Sequence, residues 1–367
     1  MEEAKLPELR EEVIELILCW LPVKSLIRFT CVSKHFHSII LSDAKFANFH
    51  FQAARDRKTL TRRLLYSIEG SPRVESIDLE TPYLGDCSFA AGKPEPEPAA
   101  GEVFLLGSCN GFVFLGSDEQ VFYMWNPSTG FSKKLVKLPD TGVKHDREMF
   151  CGVGYLPATD DYRVFVTYFG YYGDPYDYEA AIFSSTANAW EILEFNDLDI
   201  SPAEGTLWKE TLHWLDYRLD IVAFDLAQRK DHKFKKMLPP KGLYEKNERR
   251  DYNDIIQLSA RECLLLVRFL NKASRGIHVW VMREYDMPDS WTKLFNLKFS
   301  DPPKERWRYI RGVWVMETST VFKILVGDRN ERALVKILHK DDKCSFCMVE
   351  GMCESVSYQE SLLPIDD

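Results

Sequence analysis

The sequence predicts a small all-α module of three helices followed by a large all-β domain, an irregular β-propeller of about six blades. Three observations predict it. Apolar residues recur at the helical period within the first fifty positions. From about residue 64 the chain becomes short runs rich in Val, Ile, Phe, Tyr and Trp, broken by turns, with no long amphipathic helix. A degenerate aromatic–turn–aromatic motif then recurs at intervals suited to propeller blades.

The module, residues 1–50, comes first. Leu9, Val13, Leu16, Ile17 and Trp20 fall at i, i+4, i+7, i+8 and i+11, one face of a helix. Ile14, Leu18 and Leu21 form a second apolar stripe on another face. Pro22 ends this helix, and Ser25-Leu26-Ile27-Arg28-Phe29 opens a second. Ser33 suits the N-cap of a third, carrying Phe36, Ile39 and Ile40. Ser42-Asp43 caps a further turn with Phe46 and Phe49. A segment this small buries too little surface to hide two stripes against itself. An apolar stripe left in water promotes aggregation. One stripe is therefore expected to face a partner or the second domain. Residues 51–66 read as a helical linker whose Arg55, Arg57, Lys58, Arg62 and Arg63 make a solvated basic face.

Residues 67–358 read as the β domain, with strand-like runs at 103–106, 112–115, 121–125, 162–168, 181–183, 221–224, 263–269, 277–282, 313–316, 321–326 and 333–338. Alternating Pro and Glu at 92–98 cannot build a core and read as a loop. The first copy of the motif is Trp125-Asn126-Pro127-Ser128-Thr129-Gly130-Phe131. The others run from Phe183 to Trp190, Phe224 to Phe234, and Trp280 to Trp291. Successive copies lie 58, 41 and 56 residues apart. Blades take about 40–50 residues, so these fit irregular blades with loop insertions. A twisted sandwich is the alternative architecture. Residues 359–367 read as an acidic tail.

Composition narrows the function. The net charge is −9, of which −1 lies in residues 1–50 and −8 in the remainder. Nucleic-acid binders usually carry a basic face, so no nucleic acid is expected, and a protein target would be basic or neutral. No run of 18 apolar residues and no basic, apolar leader occurs, so neither membrane nor secretion is expected. Nine cysteines, an odd number scattered through the chain, read as reduced thiols of a cytosolic or nuclear protein.

Chemical motifs are few. Gly107-Ser108-Cys109-Asn110-Gly111 has nucleophile-elbow spacing, but an elbow needs a helix after it and Phe112-Val113-Phe114-Leu115 reads as strand. A hairpin turn through Asn110-Gly111 explains it better. Cys344-Ser345-Phe346-Cys347, with Cys353 and His339, suggests zinc only if a tight turn brings the thiols together, because positions three apart in a strand face opposite ways. No cofactor, metal or catalytic residue is expected. The segment 168–178 is rich in Tyr, Gly and Asp, as recognition loops are. Its Tyr171, Tyr172, Asp174, Tyr176 and Tyr178 are candidate target contacts, against the plainer reading of a solvated loop. Charged loops at 241–254 and 301–311 have similar standing.

Two sets of motifs carry a family resemblance. Leu6-Pro7, Ile17-Leu18-Cys19-Trp20-Leu21-Pro22-Val23-Lys24-Ser25-Leu26-Ile27-Arg28-Phe29 and Cys31-Val32-Ser33-Lys34 resemble the plant F-box. Gly107-Ser108-Cys109-Asn110-Gly111, Trp125-Asn126-Pro127-Ser128-Thr129, Gly152-Val153-Gly154-Tyr155, Asp160-Asp161-Tyr162-Arg163-Val164, Leu212-His213-Trp214-Leu215 and Ile221-Val222-Ala223-Phe224-Asp225 resemble the F-box-associated domain of the same proteins, including S-locus F-box proteins. Leu6-Pro7 lies three residues upstream of its usual place, and Phe36 stands where the family has Trp. The resemblance implies a receptor that docks a Skp-family adaptor and, through it, a cullin scaffold and a RING subunit. It implies adaptor contacts at Leu9, Val13, Leu18, Leu21, Pro22, Leu26 and Phe29, with Lys24 at the rim. It also admits two alternatives: a scaffold that degrades nothing, or a pollen receptor for secreted ribonucleases. Outside the resemblance, a carbohydrate-binding or enzymatic propeller with a helical leader is the competing class.

Overall fold

The computed structural model describes residues 10–68, 74–81, 89–90, 103–117, 121–139, 150–169, 178–194, 200, 204–228, 234–243, 255–260, 263–270, 276–298, 307–316, 318–326, 331–339, 344–349 and 351–365. Helix α1 (Glu11–Leu18) carries Glu11 and Glu12 in its first turn, where acidic side chains favour the helix dipole. Helix α2 (Val23–Phe29) begins after Pro22, whose extended backbone separates it from α1. Helix α3 (Lys34–His37) is capped by Ser33, whose hydroxyl accepts from Phe36 N–H at 3.1 Å, and runs on into a π-helical turn over Ser38–Ser42. Helix α4 (Ala44–Asp56) is capped by the Asp43 carboxylate, which accepts from Lys45 N–H at 2.8 Å and Phe46 N–H at 3.2 Å.

The rest is a six-bladed β-propeller of four-stranded antiparallel sheets. Blade 1 holds β1 (Arg62–Ile68), β2 (Val74–Asp78) and β3 (Phe89–Ala90). Blade 2 holds β4 (Val103–Cys109), β5 (Phe112–Ser117), β6 (Phe122–Trp125) and β7 (Ser132–Lys134). Blade 3 holds β8 (Cys151–Leu156), β9 (Asp161–Phe169), β10 (Tyr178–Ser184) and β11 (Ala189–Glu194). Blade 4 holds β12 (Thr206–Trp208), β13 (Thr211–Leu215), β14 (Ile221–Asp225) and β15 (Phe234–Met237). Blade 5 holds β16 (Ile255–Ala260), β17 (Leu264–Leu270), β18 (Gly276–Met282) and β19 (Trp291–Lys298). Blade 6 holds β20 (Trp307–Val315), β21 (Ser319–Val326), β22 (Glu331–Leu338) and β23 (Cys344–Met348). The last strand, β24 (Met352–Gln359), pairs with β1 and so completes blade 1 from the far end of the chain. Strands β24, β4, β8, β12, β16 and β20 line the axis, each touching the next blade's inner strand along the series from β24 to β20.

Apolar clusters fill the gaps between neighbouring blades. Phe114 and Val113 lie on opposite faces of β5, and each packs toward a different neighbour: Phe114 toward blade 3, Val113 toward blade 1. Strands buried on both faces read as continuous apolar runs rather than alternating ones. The helical module has its own cluster, built from Leu18, Val23, Leu26, Ile39, Ile40, Phe46 and Ala47.

The four motif copies of the sequence are one structural device. Each runs from a blade's third strand through a turn to the start of its fourth: Trp125 to Phe131, Phe183 to Trp190, Phe224 to Phe234, Trp280 to Trp291. Their unequal spacing reflects both the connections between blades and the blades themselves, since blade 3 runs from Cys151 to Glu194 and blade 4 only from Thr206 to Met237.

Two boundaries differ from expectation. The helical linker expected over 51–66 ends at Asp56, and β1 starts at Arg62. Leu64, Leu65 and Tyr66 are buried between β24 and β2, which a helical linker over that span would leave in water. The acidic tail expected over 359–367 is not a tail up to 363. Glu360, Ser361, Leu362 and Leu363 are all buried, with Ser361 wholly so. Leu362 and Leu363 supply the apolar surface that the flanking acids obscure in the sequence.

Candidate docking site

Helix α1 sorts its two apolar stripes. Leu18 is buried in the module, with Ile14 and Leu21 packed partly against the same cluster. Val13, Leu16, Ile17 and Trp20 face outward at 40%, 55%, 52% and 70% exposure. These four stand at i, i+3, i+4 and i+7, one continuous face. Phe29 and Val32 are also exposed, and Phe29 stacks on Phe36 at 6.2 Å between ring centroids. Phe36 packs against the module's own cluster.

The residues named from the resemblance therefore divide. Val13, Pro22, Lys24 and Phe29 are exposed, and Leu21 is half-buried. Leu18 and Leu26, at 3% and 0% exposure, are corrected from surface contacts to core. Their side chains fill the space between α1, α2 and the helices after them, and reaching them would require opening the module. Leu9 lies outside the described residues. Leu16, Ile17 and Trp20 were in the expected stripe but not among the named contacts. A stripe pattern gives which residues share a face, and not which face looks inward.

The seam below the module was not legible. Arg57, read from the sequence as part of a solvated basic face, donates from Nη2 to Cys19 O at 2.6 Å and lies 4.1 Å over the Trp20 ring. It thereby ties the end of α4 to the end of α1 and props the indole outward. His50, on the inner side of α4, bonds Leu21 O through Nε2 at 2.9 Å, and burial lowers its pKa.

The propeller presents two faces. On one, Asn110 Nδ2 donates to the Tyr162 hydroxyl at 3.4 Å, so the first hairpins of blades 2 and 3 lie side by side. Chain enters from the helical module at Thr61 and leaves at Glu360 on this same face, where Glu360 N–H donates to Thr61 O at 2.9 Å. The opposite ends of β9 and β10 lie about 23 Å away, at about 3.3 Å per residue along β9. There Phe169 pairs with Tyr178, flanking the aromatic loop. Tyr171, Tyr172, Asp174 and Tyr176 lie outside the described residues, as does the Tyr178 side chain.

Asn110 and Gly111 have φ of 50° and 84°, the turn between β4 and β5. Strand follows strand here, and desolvation pushes the Cys109 thiol up to about 12, the reverse of an activated nucleophile. Cys344 and Cys347 are both residues of β23, and the Cys344 side chain lies outside the described residues.

Fold and surface together define a two-module protein: a helical module with an unburied apolar face, carried on a propeller. The model of the F-box domain matches residues 6–48, and that of the F-box associated beta propeller domain matches residues 75–365. The chain belongs to the plant F-box proteins with an F-box-associated β-propeller. It is 26% identical over 313 residues to the F-box protein CPR1 of Arabidopsis thaliana, covering 78% of this chain and 72% of that protein. It is 24% identical over 319 residues to the F-box/kelch-repeat protein At3g23880 of the same plant, covering 83% and 82%.

Proposed function

We propose that this chain is the substrate-recognition subunit of a Skp–cullin–F-box ubiquitin ligase. The observation that carries the reading is the apolar face of Val13, Leu16 and Ile17 on α1, continued by Trp20 in the turn after it, which is exposed among the described residues. A partner that covers it gains about 1.5–3 kcal/mol per large side chain before ordering costs. Family membership supports a Skp-family adaptor as that partner, and in this reading the cullin and RING subunit join through it. Pro22, Lys24 and Phe29 extend the contact from α2. The receptor itself contributes proximity. Holding a target lysine near the activated thioester of the conjugating enzyme makes a bimolecular step nearly unimolecular.

The target site belongs, in this reading, to the propeller face away from the helical module. The loop between β9 and β10, with Tyr171, Tyr172, Asp174, Tyr176 and Tyr178, is its foremost candidate. The charge of −8 outside residues 1–50 favours a basic or neutral protein.

The test replaces Leu16 and Ile17 together by Asp in the full chain. Adaptor affinity should fall by roughly 30-fold for each anchor lost, toward a thousandfold for the pair, since each anchor is worth about 2 kcal/mol or more. Unchanged affinity of a folded L16D/I17D protein would refute the docking face. A second arm separates degradation from scaffolding. Targets captured by the propeller should accumulate when the proteasome is inhibited, and a scaffold would leave their levels unmoved.

A further inference from the structure

We infer that residues 360–365 form a strap that fixes the helical module to the propeller as one body. The inference rests on contacts alone and is independent of the ligase reading. Strand β24 has already closed the ring at Gln359, so the strap is not needed to complete a blade. Beyond it the chain turns beneath the module and touches three separate parts of the protein.

Leu362 enters the module's own core beside Leu18, Val23, Leu26 and Ile40. Leu363, one residue on, enters the core between blades 2 and 3, where Phe51 of α4 also packs. Consecutive residues thus serve two different cores. Between them the backbone is held by one side chain. Asn126 Nδ2 lies 3.2 Å from Ser361 O, 3.2 Å from Ser361 Oγ and 3.0 Å from Leu363 O. Asn126 Oδ1 accepts from Ser128 N–H at 2.9 Å, which fixes the amide's orientation, and the side chain is fully buried. Ser128 Oγ in turn accepts from Ser361 N–H at 3.4 Å.

The opposite side of the strap lies against the β4–β5 hairpin. A Cβ on Gly111 would stand 2.2 Å from Ser361 Oγ and 2.5 Å from Ser361 Cβ. Gly111 is thus required twice, for its φ of 84° and for the space the strap occupies. The Asn126-Pro127-Ser128 turn, read from the sequence as part of the blade repeat, and the Asn110-Gly111 hairpin turn are the two walls of this groove.

The experiment compares hydrogen exchange, read by mass spectrometry, in three full-length or near full-length proteins: the unaltered chain, Asn126→Ala, and a chain ending at Gln359. With the strap released, amides of α4 and residues 57–61 should exchange roughly tenfold faster or more, while β9 and β14 keep their protection. Unchanged exchange at α4 and 57–61 in both variants would overturn the inference. So would loss of protection throughout blades 2 and 3 in Asn126→Ala, because Asn126 would then be a support of the ring rather than of the joint. Should the shortened chain aggregate, Asn126→Ala decides alone, since it leaves the apolar residues of the module and of the strap in place.

Discussion

At the scale of single residues, His213 shows how burial becomes a pH dependence. Its ring is fully buried, with Nδ1 3.2 Å from Thr206 O and Nε2 2.8 Å from the Tyr285 hydroxyl. A carbonyl only accepts, so Nδ1 carries the proton and Nε2 accepts from Tyr285. The neutral ring is therefore satisfied, and burial lowers its pKa from 6.5 to about 4. The unfolded ring takes up a proton below 6.5 that the folded ring refuses. Stability present above pH 6.5 is consequently lost as pH falls toward 4, by up to about 3 kcal/mol. Buried His50 acts in the same direction. Glu360, raised by burial, acts in the opposite one. Comparing urea midpoints of the unaltered chain and His213→Gln between pH 7 and pH 4.5 isolates the single ring. The variant should lose less stability on acidification, and parallel losses in both would remove His213 as the cause. Residues such as Asn110 and Gly111 were legible because turn chemistry is local. Leu18 and Leu26 were not, because their burial depends on helices and a C-terminal segment far along the chain.

At the scale of elements, the recurring aromatic turn is a wedge in three of its four copies. Trp190, at the start of β11, packs on Phe183 of its own blade and Phe122 of the preceding one, and its indole donates to Val136 O at 2.7 Å. Trp291, at the start of β19, repeats the arrangement one blade pair on, donating to Leu238 O at 3.2 Å. Phe234 takes the position in blade 4, against Phe224 and, across the gap, Phe165. An indole in this place both fills the gap between blades and satisfies a carbonyl of the connection leaving the previous blade. Trp291→Phe keeps most of the packing and forfeits the hydrogen bond, so it should cost about 1 kcal/mol. Trp291→Ala also opens a cavity and should cost about 3–5 kcal/mol. Denaturant titration of both variants checks the ordering, and equal losses would show that the indole N–H is the whole contribution. This device explains what the sequence reading could and could not supply. The wedge residues Trp190, Phe234 and Trp291 repeat because each fills a gap between neighbouring blades, whereas Phe131 at the same place in blade 2 is exposed. The blade count was harder to read because blade 1 is divided between the two ends of the chain and the repeat is faint in blade 6.

At the scale of the whole molecule, ring closure is the step on which the rest depends. Strand β24 pairs with β1 from Arg62↔Gln359 onward, nearly three hundred residues apart in sequence. A hairpin such as Val113↔Trp125 closes a loop of about a dozen. With about 0.6 kcal/mol for each doubling of loop length, closing the ring costs about 3 kcal/mol more than closing the hairpin. Burial of Met352, Val356 and Tyr358, at 0%, 0% and 4% exposure, offsets this at about 1.5–3 kcal/mol each. Those side chains serve the gaps on both sides of blade 1, Met352 toward blade 6 and Val356 toward blade 2. Without β24, the inner edge of β1 is unpaired and both gaps lose their axial wall. A chain ending at Val349 should therefore lose the cooperative transition of the entire propeller rather than the stability of one blade. Refolding of the intact chain should show a slow phase that appears with β1–β24 pairing, as expected for contacts of such separation. Supplying residues 351–367 as a separate peptide to the shortened chain should restore one cooperative transition, with a midpoint that rises with peptide concentration. A shortened chain that unfolds with an undiminished, peptide-independent midpoint would mean that the other five blades hold together without the seam.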